Sequence, residues 1–456
     1  MSITKTLSKF IYELEYSDLS AQVIETTKLY IADYYAALAA GIWINKEFNE
    51  KVTRLILDTG GVKEASVFMT TKKIPVEQAA FLNALYAHGA DMDDGNRKAM
   101  GHTAVSVMSA VFAIAEKSEA SGQDIITAIN AGYEVCNRVA AAAQPGLAHR
   151  GFHSTGTAGA LGAAAACAKL MKLNEKEIYS AISLAAVQSS GLILVSESGQ
   201  CCKPINPANA AKTGVFSAKL AELGIDTPKK PLESDKGWLH AMSEHVDIKE
   251  ITETLGKIYT IAESYLKLYP ACRHTHCVID AALALRKHIC EKQFVDKIEK
   301  IDISIYENAI RYTGTIKYPK SSGEAKFSLY YAFAKAFLVG RYGFDEIEEP
   351  VISVEEKALI DKINLIPDNT YEDKRRGIRG AKVVLTTTDG KVFEEVVTIP
   401  KGEAGNPVFW EEIGLKVKTC FAKEPAINYK NVIKYIQNFE KLQKYHSINE
   451  CLIYID

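Results

Sequence analysis

The chain has 456 residues, 47% of them hydrophobic and 24% charged, and a formal net charge of −2. That length predicts a large core and two domains, and the near-neutral balance excludes a strongly basic surface for nucleic acid. Nine cysteines, an odd number with no Cys-x-x-Cys pair, argue against a disulfide scaffold or zinc ribbon and predict a reducing, cytoplasmic setting.

The first nine residues contain no long apolar run, so no secretory signal is expected. Thr4–Leu14 and Ser17–Ile42 read as helices, the second capped by Ser17-Asp18, with Leu29, Tyr30, Tyr34 and Leu38 at helical spacing. The apolar segment Leu29–Ile44 is interrupted by Asp33 and is too short to span a bilayer, so no membrane partner is expected. Phe48–Leu57 is a third helix, stopped by Gly60-Gly61, and Ala65–Met69 is a short extended piece. Pro75 then opens a helix through Ala87.

That helix runs into an acidic block, His88-Gly-Ala-Asp91-Met-Asp93-Asp94, followed by Gly95-Asn96-Arg97 and by His102-Thr103. Three carboxylates within four residues repel one another unless they cap backbone N–H groups, meet cations or face solvent. A solvated, self-capping turn is the plain reading. His102 starts an Ala/Val-rich helix to Ala115, and Gln123–Ala143 is another.

The most informative stretch runs from His149 to Leu170. His153, Ser154, Thr155 and Thr157 stand at the mouth of a helix built of Gly, Ala and Cys. Ser and Thr are N-cap types, and the free N–H groups of a helix start favour an anion. The glycines Gly156, Gly159 and Gly162 do not form a dinucleotide fingerprint, because no hydrophobic strand precedes them. Helix packing explains them; it does not explain His153.

Asn174 caps a helix to Ser189, the loop Cys201-Cys202-Lys203-Pro204 follows, and Ala208–Leu223 is helical. After Gly256 the texture changes. Lys257–Ala262 reads as extended, Cys277–Ile289 as helix, Val295–Ile305 as a half-buried strand and Ser322–Val339 as helix. Lys382–Thr388 and Lys391–Thr398 form a hairpin around Asp389-Gly390. Glu411–Phe421 and Val432–Leu442 close the chain as helices. The predicted fold class is mainly α: a large all-helical domain over residues 1–260, joined by C-terminal helices from about 405 to 456, and a smaller α+β lid over 261–404.

On these blocks the chain resembles the MmgE/PrpD family, which includes 2-methylcitrate dehydratase, cis-aconitate decarboxylase and iminodisuccinate epimerase. The matching residues are His88-x-x-Asp91-x-Asp93-Asp94, Gly101-His102, Gly151-Phe152-His153-x-Thr155-Gly156-Thr157, Lys203-Pro204 with Asn209 and Gly214, and Lys267-x-Tyr269-Pro270 with His276. The resemblance covers nearly the whole chain, in order and spacing. It implies an active site in a cleft between the two domains, a homodimer, and neither metal nor organic cofactor. Residue by residue it implies Asp91, His102, His153, Lys203 and Lys267 as catalytic, with Tyr312 or Tyr318 near the end of the site. Two departures touch the substrate side: Gly95-Asn96-Arg97 replaces the usual continuation of the acidic block, and no His-Pro precedes His102.

The chemistry follows from residue type. A cofactor-free enzyme on di- or tricarboxylates needs cations to hold carboxylates and a base near neutral pKa to remove a proton beside one. Lys203, Lys267 and Arg273 suit the first role, helped by the helix tip at Ser154 and Thr155, and the resemblance implies His276 and Tyr318 as further substrate contacts. The histidines suit the second. Loss of hydroxyl makes a dehydratase of the 2-methylcitrate type, the leading expectation. Loss of CO2 makes a decarboxylase, return of the proton on the other face an epimerase, and loss of catalysis a carboxylate-binding protein. Cys201-Cys202 as a nucleophile and His274 with His276 as metal ligands are the minor alternatives.

Overall fold

Small side chains decide how the helices of this protein pack. The computed structural model describes residues 2–197, 201–288, 296–373, 378–424 and 427–453. The chain divides into two units, Met1–Leu266 with Phe409–Asp456, and Lys267–Val408. At the centre of the first unit, helix Ser154–Leu170 is buried at every position except Lys169. Helices Ala104–Ser118, Gly122–Ala143, Glu175–Gln188 and Ile205–Glu222 pack around it. They can do so because its surface is nearly bare of side chains. A Cβ on Gly162 would stand 2.7 Å from the Gly132 carbonyl oxygen on helix Gly122–Ala143. A methyl there would push the two backbones apart, at a cost of about 1–3 kcal/mol.

The element starts follow local hydrogen bonding. Asn174 caps Glu175–Gln188 with a capping box to Glu177, as its sequence predicts. Helix Ala21–Trp43 begins later than predicted: Ser20 accepts the Val23 N–H, while Tyr16–Asp18 is a 3-10 turn whose Asp18 carboxylate takes the Glu15 N–H. The expected extended piece at 257–262 is a chain of turns. Arg138 donates to the carbonyls of Thr254 and Ile258, and Glu134 accepts the Thr260 N–H, so these backbone groups are spent on side chains rather than on a strand partner. No helix among the described residues is long and apolar enough to cross a membrane.

The second unit is α+β. Its four-stranded sheet has the order Ile363–Pro367, Ile298–Ile305, Ala381–Thr387, Val392–Val397. The first pair is parallel and the others antiparallel. The predicted hairpin is present, with Gly390 at φ 80° in its turn. Alternating burial along Ala381–Thr387 shows one packed face, and helix His276–His288 packs against this hairpin and against helix Leu329–Val339. The predicted continuous helix from 322 to 339 is broken into Ser322–Ala325 and Leu329–Val339. Tyr342 Oη and the Cys272 N–H take the carbonyls of Ala325 and Lys326, and Ser328 caps the new start through Tyr331 N. Ile289, the predicted helix end, and Val295, the predicted strand start, lie outside the described residues.

Candidate active site

The acidic block is buried, not solvated: Asp91 is 5% exposed, and Asp93 and Asp94 are fully enclosed. Helix Val76–Ala87 ends at His88, and Asp91 adopts the left-handed conformation, φ 53°, which Asp tolerates better than most residues. The turn sends the three carboxylates to different partners. Asp91 Oδ1 meets Lys203 Nζ at 3.0 Å and lies 4.0 Å from His102 Nε2. Asp93 Oδ2 lies 2.9 Å from His88 Nδ1 and 3.1 Å from His102 Nδ1. Asp94 accepts from Tyr133 Oη and from the Ala104 N–H, and so caps the helix after His102.

The start of the central helix completes the cluster. His153 is its N-cap residue, one position before the predicted cap types, and its side chain does not cap. Ser154 Oγ donates to the Met100 carbonyl and Thr155 Oγ1 accepts the His102 N–H. The two hydroxyls assigned to substrate in the sequence are therefore engaged in holding His102 against the helix start. The His88 ring stands 4.9 Å from that of His102 and 6.5 Å from that of His153, centroid to centroid. Asp91, His102, His153 and Lys203 thus lie in one cluster with His88 and Asp93, gathered from around residues 88–102, 153 and 203. The departing segment Gly95-Asn96-Arg97 leads into a turn over 97–100, with Gly95 and Tyr265 exchanging backbone hydrogen bonds and Asn96 pairing with Gly101 across the turn.

The hydrogen bonds assign the protons. Among the described residues His102 Nδ1 faces acceptors, the Asp94 carbonyl at 2.6 Å and the Asp93 carboxylate, so it carries hydrogen, and in the neutral ring Nε2 is the lone pair. His88 Nδ1 likewise donates to Asp93, and its buried Nε2 has no hydrogen-bond partner among the described residues. His153 is the reverse, because its Nδ1 receives the amide of Asn206 at 3.0 Å.

Burial opposes the ionised form of Asp93, but His88 and His102 outweigh it and hold its carboxyl well below the usual range. Burial, aided by Lys203, pushes His153 well below an ordinary imidazole and His88 down to about 4. Burial raises Asp94 to about 7 against its two hydrogen bonds. These shifts have opposite consequences. With a folded pKa near 4, His88 lets the unfolded chain bind the extra proton between pH 6.5 and 4, so its contribution to stability is lost as pH falls. Asp94, with a raised folded pKa, binds that proton in the folded state and gains stability on acidification from 7. His88→Asn keeps a donor to Asp93 and removes the titration; it is expected to flatten the acid limb by one proton, about 1.4 kcal/mol per pH unit between about pH 6 and 5. Asp94→Asn is expected to steepen it by the same amount. Urea titrations at several pH values check both.

His88, Asp91, Asp93 and His102 bring ligand-type atoms within 4.8 Å of one another, the donor set of a metal site. Two of those donors are already bridged by Asp93, and the ammonium of Lys203 beside Asp91 supplies the positive charge a cation would bring.

The remaining predicted residues lie in the second unit. Lys267 is 2% exposed. Arg273 donates twice to Glu403 and once to the Lys401 carbonyl, and also to His276 Nδ1 at 2.8 Å. Both side chains are buried. Tyr318 hydrogen-bonds Asp361, Tyr312 stacks on His274, and His274 Nδ1 meets Tyr306 Oη, so His274 and His276 serve different partners. Sequence reasoning quoted His88, Asp93 and Asp94 without giving them roles, and it passed over Tyr133 and Asn206.

Residues 5–251 match the MmgE/PrpD N-terminal domain and residues 269–437 the MmgE/PrpD C-terminal domain. The chain is 28% identical over 422 residues to the cis-aconitate decarboxylase-like protein oryM of Aspergillus oryzae, covering 88% of this chain and 87% of that protein. It is 26% identical to the cis-aconitate decarboxylase of Homo sapiens, covering 97% and 92%, and 23% identical to that of Aspergillus terreus, covering 88% and 85%. Two domain matches spanning most of the length, with the His–Asp–Lys cluster inside the first, place this chain in the MmgE/PrpD family.

Proposed function

We propose that this protein is a cofactor-independent lyase of small polycarboxylates, with His102 as base and His153 as acid. The observation that carries the reading is the pair of opposed Nδ1 partners, acceptors on His102 and an amide donor on His153, in one buried cluster with a lysine; in the neutral rings they leave a bare Nε2 on His102 and an Nε2–H on His153. Lys203 spends one of its N–H donors on Asp91 and offers the others to a substrate carboxylate. His102 Nε2 takes the proton α to a carboxylate. The electron pair of that C–H bond forms the new C=C as the β C–O bond breaks, and His153 protonates the departing hydroxyl, which leaves as water. The ammonium stabilises the negative charge that builds on the carboxylate in the transition state. Water loss from a hydroxytricarboxylate such as 2-methylcitrate or citrate uses both imidazoles.

The second reading is decarboxylation, favoured by the activity in the names of the relatives. There the C–CO2 bond breaks and its electron pair forms a new C=C, the pair of the existing C=C shifts to a carbon α to a remaining carboxylate, and His153 gives a proton to that carbon. This route uses the acid and not the base. The test is turnover of 2-methylcitrate, citrate and cis-aconitate by chelator-treated protein, following unsaturated acid and released CO2 separately. Water loss supports the first reading and CO2 release the second. Neither product, with deuterium exchange at the α-carbon, would turn the assignment to an epimerase.

A further inference from the structure

If His153 is to donate a proton while neutral, something must keep hydrogen on its Nε2. We propose that Asn206 is a positioning residue that locks His153 in the Nε2–H tautomer; the catalytic value of the lock rests on the acid–base reading above. Asn206 lies in the first turn of helix Ile205–Glu222. Its amide nitrogen contacts two atoms, the Leu192 carbonyl oxygen at 3.1 Å and His153 Nδ1 at 3.0 Å. A carbonyl oxygen can only accept, so the group facing Leu192 is the NH2 and not the amide oxygen. The second hydrogen of that NH2 points to His153 Nδ1, which must therefore accept it. A neutral ring that accepts at Nδ1 carries its hydrogen at Nε2.

The surroundings hold both partners still. The His153 N–H binds the Gly191 carbonyl at 2.9 Å, and the His153 carbonyl takes the N–H groups of Gly156 and Thr157. Gly191 sits at φ +139°, and a Cβ there would come within 3.2 Å of Asn206 Cγ, so the amide lies flat against backbone that only glycine readily forms. The arrangement mirrors Asp93: a carboxylate fixes hydrogen on His102 Nδ1, and an amide donor excludes it from His153 Nδ1. One residue type on each imidazole sets which is base and which is acid.

The experiment is nitrogen NMR on the full-length protein labelled with [15N]histidine, with the His153 signals identified by their loss in His153→Asn. The expected wild-type result is an unprotonated Nδ1 and a protonated Nε2. Asn206→Asp replaces the donor by an acceptor and is expected to put hydrogen on Nδ1 and add an ionisation near neutral pH to the kcat profile. Asn206→Leu, with neither donor nor acceptor, is expected to lower kcat about 10- to 100-fold with KM changed less than threefold. A purely structural amide would change stability without moving the proton. A hydrogen on Nδ1 in the wild type overturns the proposal, as does an unprotonated Nδ1 in Asn206→Asp; if that variant does not fold, the wild-type spectrum decides alone. A displaced proton with unaltered turnover would keep the lock and remove His153 from the reaction, which is a failure of the functional reading instead.

Discussion

Changing His102 to asparagine is expected to lower kcat for water elimination about 10²- to 10⁴-fold, the usual contribution of a positioned general base. KM should change less than threefold, because Lys203 and Asp91 remain in place. Asparagine is chosen because its amide can stand where the imidazole Nδ1–H stands, donating to the Asp94 carbonyl, while Nε2 is deleted. His153→Asn follows the same logic with the opposite sign, since its amide oxygen can accept from Asn206. Alanine at the same buried position would mix a cavity cost with the catalytic one. The double variant is expected to fall little below the worse single, as groups acting on one transition state are not additive. If the reaction is instead CO2 loss, His102→Asn should spare it and His153→Asn should not. Full water-elimination activity in His102→Asn would take that histidine out of the mechanism.

How far the sequence discloses this site depends on the range of the interaction involved. The helix starts at Asn174 and the hairpin at Asp389-Gly390 are written within a few residues, and both stand in the structure. The break at 326–328 is not, because its cause is Tyr342 and Cys272 taking two carbonyls from elsewhere in the chain. The same holds for the turns at 257–262, imposed by Arg138 and Glu134 from a helix more than a hundred residues earlier. In the site, the ordered blocks singled out Asp91, His102, His153 and Lys203. They did not divide labour among Asp91, Asp93 and Asp94, because three neighbouring carboxylates look alike until their partners are known. The solvated-turn reading fails for the same reason: only the fold supplies Lys203, the His88 and His102 rings, and Tyr133. Asn206 had no signal at all beyond standing three residues after Lys203 at a helix start.

One long-range partner did leave a trace. Asp33 interrupts an apolar helical run, and Lys416 sits among Ile413, Val417 and Cys420 on the buried face of helix Trp410–Cys420. Charges in two such positions require each other, and they are paired: Lys416 Nζ binds Asp33, 2% and 1% exposed, and also the Met92 carbonyl at 2.6 Å. The returning C-terminal helix therefore supports the acidic turn from below, between Asp91 and Asp93. Lys416→Met is expected to cost about 3–5 kcal/mol, because it leaves Asp33 as an uncompensated buried charge. Adding Asp33→Leu should restore most of that loss, since an apolar pair of similar volume often matches a buried ion pair. The Met92 carbonyl still lacks its donor, a residual cost of about 1–3 kcal/mol. Activity should not return with stability: the double variant is expected to remain impaired in kcat, because the turn that orients Asp93 against His102 has lost the donor that holds its Met92 carbonyl. Urea denaturation read beside turnover separates the two effects. Recovery of both together would make the ion pair a matter of folding alone, whereas recovered stability with depressed kcat assigns Lys416 to the architecture of the site.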